Sequence, residues 1–333
     1  MAGYFTRPER KKMQEDDFLV PILVDNREWR KKCPERDSHD LLVAKEAQVL
    51  PKHNGVVRDP KIVDWVNCSI CGKQGCRQLF CKQGFIYVQC ENCDHVYVQN
   101  RIRYLNQLYK ESEADAAFVK LQKNSNHLDY WTRVYKKYYS LMSNFTGPNQ
   151  EILDIGCGVG SFLNYVNQHY SATNLHGLEL NLGAAKYVKQ IVGPDRFYDQ
   201  PIEDVEFNTQ FNQVYMWGVL EHLSDPTTVL KKIRDILSDQ GYLLFLIPNF
   251  SSRAVKILGA QTPTFEPRNH IQFYTKKSLE LLYKNVGLKS VGVYYELPVI
   301  DLMYPFIDYS KELALEISNN GEGYYEVHIA KKL

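Results

Sequence analysis

The segment Glu151-Ile-Leu-Asp-Ile-Gly-Cys-Gly-Val-Gly-Ser161 constrains this chain more than any other. A short apolar run, Ile152 to Ile155, leads into three glycines at alternate positions, and helical spacing begins at Ser161. A strand that turns through glycines directly into a helix is expected to leave bare backbone N–H groups facing a ligand. Such a turn fits a doubly wound α/β fold that binds an adenosine-type cofactor. Two details narrow the choice. A dinucleotide fingerprint G-x-G-x-x-G would put its third glycine at position 161, where this chain has Ser161. Asp154 stands just before the glycines, where a carboxylate would repel a pyrophosphate but would suit a cationic amino group.

The rest of the C-terminal half repeats the strand-helix alternation. Strands are predicted at Leu175 to Leu180, Phe211 to Trp217 and Tyr242 to Ile247. Helices are predicted at Ser161 to Gln168, Gly183 to Ile191, Thr227 to Leu237 and Lys276 to Asn285. Alternating βα units imply a parallel sheet covered on both faces. Two closing strands, Leu288 to Tyr295 and Tyr324 to Ala330, have no long helix between them and should pair antiparallel at one edge. Upstream, apolar residues recur at helical spacing from His127 to Phe145.

S-adenosylmethionine (SAM) carries an amino group beside its carboxylate, as the Asp154 position requires. The run Leu-Asp-Ile-Gly-Cys-Gly-x-Gly resembles the first motif of class I SAM-dependent methyltransferases. Gly177-Leu-Glu179-Leu ends the second strand, and there an acid accepts from both ribose hydroxyls. Phe211 to Pro226, with Glu221-His222, is similar to the fourth motif of methyltransferases from the ubiquinone pathway and from sugar, O-antigen and natural-product loci. Ile247-Pro-Asn249 and Asn269-His-Ile-Gln-Phe-Tyr-Thr275 resemble the same group. The resemblance covers about residues 127–333 and implies a Rossmann-like sheet of order 3-2-1-4-5-7-6 with its last strand antiparallel. It implies cofactor contacts from Asp154, Gly156, Cys157, Gly158, Gly160, Glu179, Ile202, Glu203 and Trp217. One departure is Pro201, which occupies the slot where relatives carry an acid near adenine. The Ile202 backbone, with Asp199 or Glu203, would substitute.

Methyl transfer is an in-line displacement on an activated sulfonium, so alignment supplies most of the acceleration. A base helps when the acceptor is a hydroxyl. His222 and His270 are the candidates, since both should lie at the carboxyl ends of strands. Against that, Glu221-His222 would equally serve to orient its loop, and His270 to bond backbone ahead of a helix capped by Thr275. Asp225-Pro226 fits a helix start. The fourth-strand end lacks an Asn/Asp-Pro-Pro-aromatic tetrad, which by the same resemblance weighs against nucleobase amino groups as acceptors.

Six of the eight cysteines fall between Cys68 and Cys93. Cys68-x-x-Cys71 and Cys90-x-x-Cys93 are separated by 18 residues, a spacing that reads as a four-thiolate zinc site. With β-formers between the pairs, the unit is a small β-rich zinc ribbon whose ion is structural. Cys76, Cys81 or His95 could replace a knuckle cysteine, but the double knuckle is simpler. Cys157 is a small filler in the glycine turn.

The organisation is then an N-terminal extension (1–62), the ribbon (63–100), a helical connector (101–146) and a SAM-dependent methyltransferase domain (147–333). In the extension, Phe18 to Val24 reads as a strand. A helix is expected from Ser38, as cap, to Leu50, stopped by Pro51. With 40 Lys+Arg against 39 Asp+Glu and a net charge of +1, a wholesale electrostatic grip on nucleic acid or membrane is disfavoured. No apolar h-region follows Met1 to Arg10, and no run is long enough to span a bilayer. A cytoplasmic setting with reduced cysteines is the expectation. The acceptor expected is a small polar metabolite such as a sugar, nucleotide sugar or natural-product intermediate. Two rivals are an RNA methyltransferase whose ribbon reads the nucleic acid, and a non-catalytic partner with the ribbon as docking module.

Overall fold

A computed structural model describes residues 18–104, 112–147, 150–170, 174–297 and 299–333. Its centre is a seven-stranded sheet built from β6 (Glu151–Ile155), β7 (Asn174–Leu178), β8 (Phe197–Tyr198), β9 (Phe211–Trp217), β10 (Leu237–Pro248), β12 (Leu288–Glu296) and β13 (Tyr325–Lys332). Across the sheet they run β8-β7-β6-β9-β10-β13-β12. Numbered within this domain, that is 3-2-1-4-5-7-6, as the resemblance implied. β6 to β10 are parallel neighbours. β13 enters antiparallel between β10 and β12, so the last strand lies inside the sheet and β12 forms its edge.

Period-two alternation explains why both faces are covered. Leu153, Ile155, Val214, Met216, Leu243 and Phe245 pack on one face with Leu230 and Ile233 of α7 (Pro226–Ile236) and Leu282 and Val286 of α9 (Lys276–Val286). Ile152, Tyr215, Leu244 and Leu246 pack on the other. Their partners are Tyr138 and Met142 of α4 (Ser125–Phe145), Phe162 and Val166 of α5 (Ser161–His169), and Val188 of α6 (Leu182–Val192). α4 is capped by Asn124, which accepts from the N–H groups of Asn126 and His127. Its Val134, Tyr138 and Met142, at four-residue spacing, are fully buried, each contributing about 1.5–3 kcal/mol of apolar burial.

The ribbon has its own four-stranded sheet: β2 (Cys76–Lys82), β3 (Phe85–Cys90), β4 (Val96–Val98) and β11 (Gln272–Phe273). The fourth strand comes from the segment before α9, where Gln272 pairs with Tyr97 and Phe273 with Val96. Two short strands, β1 (Val63–Trp65) and β5 (Asn100–Ile102), pair separately.

The N-terminal extension departs from expectation twice. Residues 18–24 form no strand. They make a strap whose Phe18 is buried among the α4 side chains. Side chains satisfy its backbone, because Lys137 Nζ donates to the Val20 carbonyl at 2.8 Å and the Ile22 N–H donates to Glu296 Oε2 at 2.7 Å. Pro21 between them has no N–H for a ladder. The helix expected from Ser38 starts earlier, at Pro34: α1 (Asn26–Lys32) is followed by α2 (Pro34–Gln48) with Pro34 at its first position. Ser38 lies inside it and donates to the Pro34 carbonyl. α2 packs on α3 (Glu113–Gln122). Among the described residues, no helix is long and apolar enough to cross a membrane.

Candidate functional site

The turn between β6 and α5 is shaped by Gly156, Gly158 and Gly160, with φ of +66°, +55° and +78°. Side chains are disfavoured there by the backbone conformation, and neighbouring side chains would have to shift to admit them. A Cβ on Gly156 would come within 2.7 Å of Val219 Cγ2, and one on Gly158 within 2.3 Å of Gln122 Nε2. Contrary to expectation, three of the turn's N–H groups are not bare. Gly156 and Cys157 both donate to the Leu178 carbonyl, at 2.8 and 3.0 Å, and Gly160 donates to Cys157. The turn spends these donors on fastening the ends of β6 and β7 together. Cys157 is buried within it.

Side chains surround the turn. Gly158 N–H donates to Glu179 Oε2 at 2.8 Å, and Asn181 N–H to Oε1 at 2.7 Å. Glu179 is thereby held beside the glycine turn, with burial still raising its carboxyl. Asp154 is 1 % exposed and its Oδ1 has no hydrogen-bond partner. Burial, with the Glu179 charge behind it, pushes the Asp154 carboxyl well above the usual carboxylate range. Two acids this close call for a cation. Asp154 pairs in register with Tyr215 of β9, and two residues further on is Trp217, whose Nε1 is buried without a partner. Tyr135 of α4 meets Trp217 edge to face at 5.1 Å and feels the Asp154 charge. Sequence reasoning missed Tyr135 and Gln122 as residues beside the turn: helical spacing marks Tyr135 as packing, and Gln122 lies outside the segment read as helical.

The expected adenine-end residues divide. Ile202 opens a single 3-10 turn, Ile202–Asp204, and is buried under α7, whereas Glu203 is exposed. Asp199 pairs with Lys189 at 3.7 Å.

At the end of β9 another 3-10 turn, Leu220–His222, brings Glu221 and His222 to His270, which lies in the loop before β11 and not at the carboxyl end of a strand as expected. The two imidazoles meet edge to face, centroids 4.9 Å apart. His270 Nδ1 donates to the Thr264 carbonyl at 2.8 Å, the backbone bond that sequence reasoning allowed. Burial pushes Glu221 up to about 8 and His270 down to about 4, and holds His222 well below its ordinary value. The segment carrying His270 is clamped by Arg268, 2 % exposed. Its guanidinium pairs with Glu46 of α2 at 2.6 Å and Asp115 of α3 at 2.9 Å, and donates to Ser112 at 2.6 Å. Nothing in the sequence marks this arginine as buried. Asp225 caps α7 with Pro226 at its first position, and Thr275 caps α9 in a capping box.

In the ribbon, one Sγ from each of Cys68, Cys71, Cys90 and Cys93 lies within 4.8 Å of the others. The closest pairs, Cys68–Cys93 and Cys71–Cys90, are both 3.5 Å apart. A tetrahedral ion with Zn–S bonds of about 2.3 Å sets its sulfurs roughly 3.8 Å apart, so the four thiols fit that geometry. The hydrogen bond from Cys93 pushes the Cys68 thiol below its ordinary value. The other candidates stand elsewhere: His95 Nε2 is 2.7 Å from Gln272 Oε1, Cys76 Sγ accepts from Gln99, and Cys81 is exposed.

The chain was compared with known proteins. A ubiquinone biosynthesis O-methyltransferase of Dinoroseobacter shibae is 30% identical over 182 residues, 50% of this chain and 72% of that protein. A malonyl-(acyl-carrier protein) O-methyltransferase of Anoxybacillus flavithermus is 27% identical over 120 residues, 35% of this chain and 46% of that protein. The chain thus spans less than half the length of this second relative. Among solved structures, a plantazolicin methyltransferase in complex with SAH superposes with a TM-score of 0.49 at 14% identity, covering 69% of this chain and 95% of that one. A mitomycin 7-O-methyltransferase does so with a TM-score of 0.48 at 15% identity, covering 69% and 60%. The family model described as a methyltransferase domain matches residues 126–293, just over half of the 333 residues. The match takes in α4, the glycine turn, Glu179, the Glu221-His222 turn and most of β12, so the chain belongs to the methyltransferase-domain family.

Proposed function

We propose that this protein transfers the methyl group of SAM to an oxygen of a small polar metabolite. The observation that carries this is the buried Asp154 carboxylate, unpartnered at Oδ1, beside a turn of three left-handed glycines. A buried acid without a partner is costly. The SAM amino group supplies the missing charge and donors, and the glycine turn admits the methionine portion closely. Glu179, positioned by two backbone N–H groups, is placed for the ribose hydroxyls. Cys157 lines the turn, the Ile202–Asp204 turn with Glu203 borders adenine, and Trp217 with Tyr135 walls the sulfonium side, where aromatic faces favour a cation.

The acceptor oxygen attacks the methyl carbon in line as the carbon–sulfur bond breaks, leaving its electron pair on sulfur. Bound SAM provides an already activated methyl group, so the protein's share is alignment. His222, in the turn after β9, and His270, in the loop before β11, meet the acceptor hydroxyl and take up its proton. Low imidazole affinity for protons, imposed by burial, keeps both rings neutral and able to accept. The four ribbon thiols hold a structural zinc ion, and the unpaired state of all eight cysteines suits a reducing cytoplasm. Balanced charge favours a small acceptor over RNA.

Incubation with tritiated SAM and a metabolite extract tests this. Label is expected in the small-molecule fraction. Label confined to RNA, or no transfer by a chain that binds SAM tightly, would overturn the proposal in favour of an RNA methyltransferase or a non-catalytic partner.

A further inference from the structure

The turn after β9 does more than orient its loop. One ligand atom from each of Glu221, His222 and His270 lies within 4.8 Å of the others. Glu221 is 2 % exposed, and its Oε2 has no hydrogen-bond partner. Among the described residues its ion-pair contact is His222 Nε2, at 4.0 Å from Oε1. A buried carboxylate in that state needs a counter-charge.

The histidines are set up to be ligands. His270 commits Nδ1 to the Thr264 carbonyl at 2.8 Å, which leaves the lone pair on Nε2. The His222 ring has the backbone carbonyls of Asn269 and Gly218 beside it. A backbone carbonyl behind an imidazole fixes its tautomer and orientation, as is general for metal-bound histidine. Both side chains are half-buried, so the cluster is not sealed in the core.

We propose that Glu221, His222 and His270 bind a divalent transition-metal ion at the acceptor end of the cleft. Two imidazoles and one carboxylate favour Mn2+, Fe2+, Co2+ or Zn2+ over the oxygen-seeking Mg2+ and Ca2+. Three protein ligands leave positions open, which the acceptor fills with its hydroxyl and a neighbouring oxygen. The substrate class this implies is a vicinal diol or hydroxy-carbonyl compound. Resting on the methyl-transfer reading, the inference changes the fate of one proton. A hydroxyl held by the ion would lose its proton to solvent water, the O–H electron pair staying on oxygen, and that oxygen would attack the methyl carbon as the carbon–sulfur bond breaks with its pair going to sulfur. The histidines then act as ligands in place of a base.

The test uses the full zinc-loaded chain titrated with Co2+. One Co2+ per chain is expected beyond the ribbon zinc, with weak ligand-field absorption and none of the intense charge-transfer bands of a thiolate site. Glu221→Gln and His270→Gln should each weaken Co2+ binding at least tenfold while keeping wild-type SAM affinity, which shows that they are folded. Absence of saturable Co2+ uptake by the wild type, or uptake unchanged in both variants, would overturn the metal site. Methyl transfer that is insensitive to chelators would also reject it while leaving the methyltransferase reading intact. Loss of SAM binding by the wild type would instead reject that reading without bearing on the metal.

Discussion

Individual buried polar residues do much of the organising in this molecule. Lys137 and Glu296 form an ion pair with side chains 4% and 1% exposed. Tyr138 donates to the same carboxylate, and the strap of residues 18–24 takes its remaining contacts. Each charge is satisfied, so removing either partner would leave the other stranded. His127 is the opposite case, a buried imidazole kept neutral. It lies beside Trp29 of α1 at 5.8 Å and Trp131 at 6.2 Å. Burial, aided by the Arg36 charge, lowers it from 6.5 to about 4. The unfolded chain therefore binds a proton in this window that the folded chain refuses. The contribution is complete above about pH 6.5 and is lost as pH falls toward 4. Between pH 7 and pH 5 the loss from His127 alone should be about 2 kcal/mol. Urea unfolding at the two pH values measures it. His127→Phe should show a correspondingly smaller fall in midpoint, and an unchanged pH slope in that variant would contradict the assignment.

At the scale of elements, the ribbon is tied into the methyltransferase domain by β11, whose two residues extend its sheet. Ser69 and His95 of the ribbon both bond Gln272 Oε1, and Gln272 Nε2 donates to the Leu223 carbonyl beyond the Glu221-His222 turn. One glutamine thus couples the cysteine cluster to the turn at the end of β9. Elemental analysis should find one ribbon zinc per chain, and Cys68→Ser/Cys71→Ser should remove it. The same double substitution should lower methyl transfer more than SAM affinity, because β11 and His270 lose support while the glycine turn does not. Full metal occupancy in that variant would refute the knuckle ligand set. α2 and α3 act similarly on the other side, where Glu46 and Asp115 hold Arg268 two residues before His270. The extension of unassigned role thereby becomes, through Glu46, a support for the segment that carries His270.

For the whole molecule, six of the seven strands were legible because strand and helix periods alternate from Ile152 onward, whereas β8, two residues long, is too short to carry a pattern. Asp154, the glycines and Glu179 were legible because a motif fixes their backbone geometry within one βαβ unit. The cysteine pairs were legible from spacing alone. What escaped the sequence depends on contacts far apart along the chain. β11 is too short to carry an alternation. The strap reads as a strand by composition, yet its backbone partners are Lys137 and Glu296. The burial of Arg268 follows from two acids in the N-terminal half, and the approach of His270 to Glu221 and His222 from the packing of a loop.

The central claim is that the Asp154 carboxylate and the glycine turn hold SAM. Calorimetric titration of SAM into the wild-type chain and into Asp154→Ala measures this directly. The account predicts one site per chain in the wild type and at least a hundredfold loss of affinity in the variant, about 3 kcal/mol, with the fold kept. Equal SAM affinity in the two proteins would contradict it.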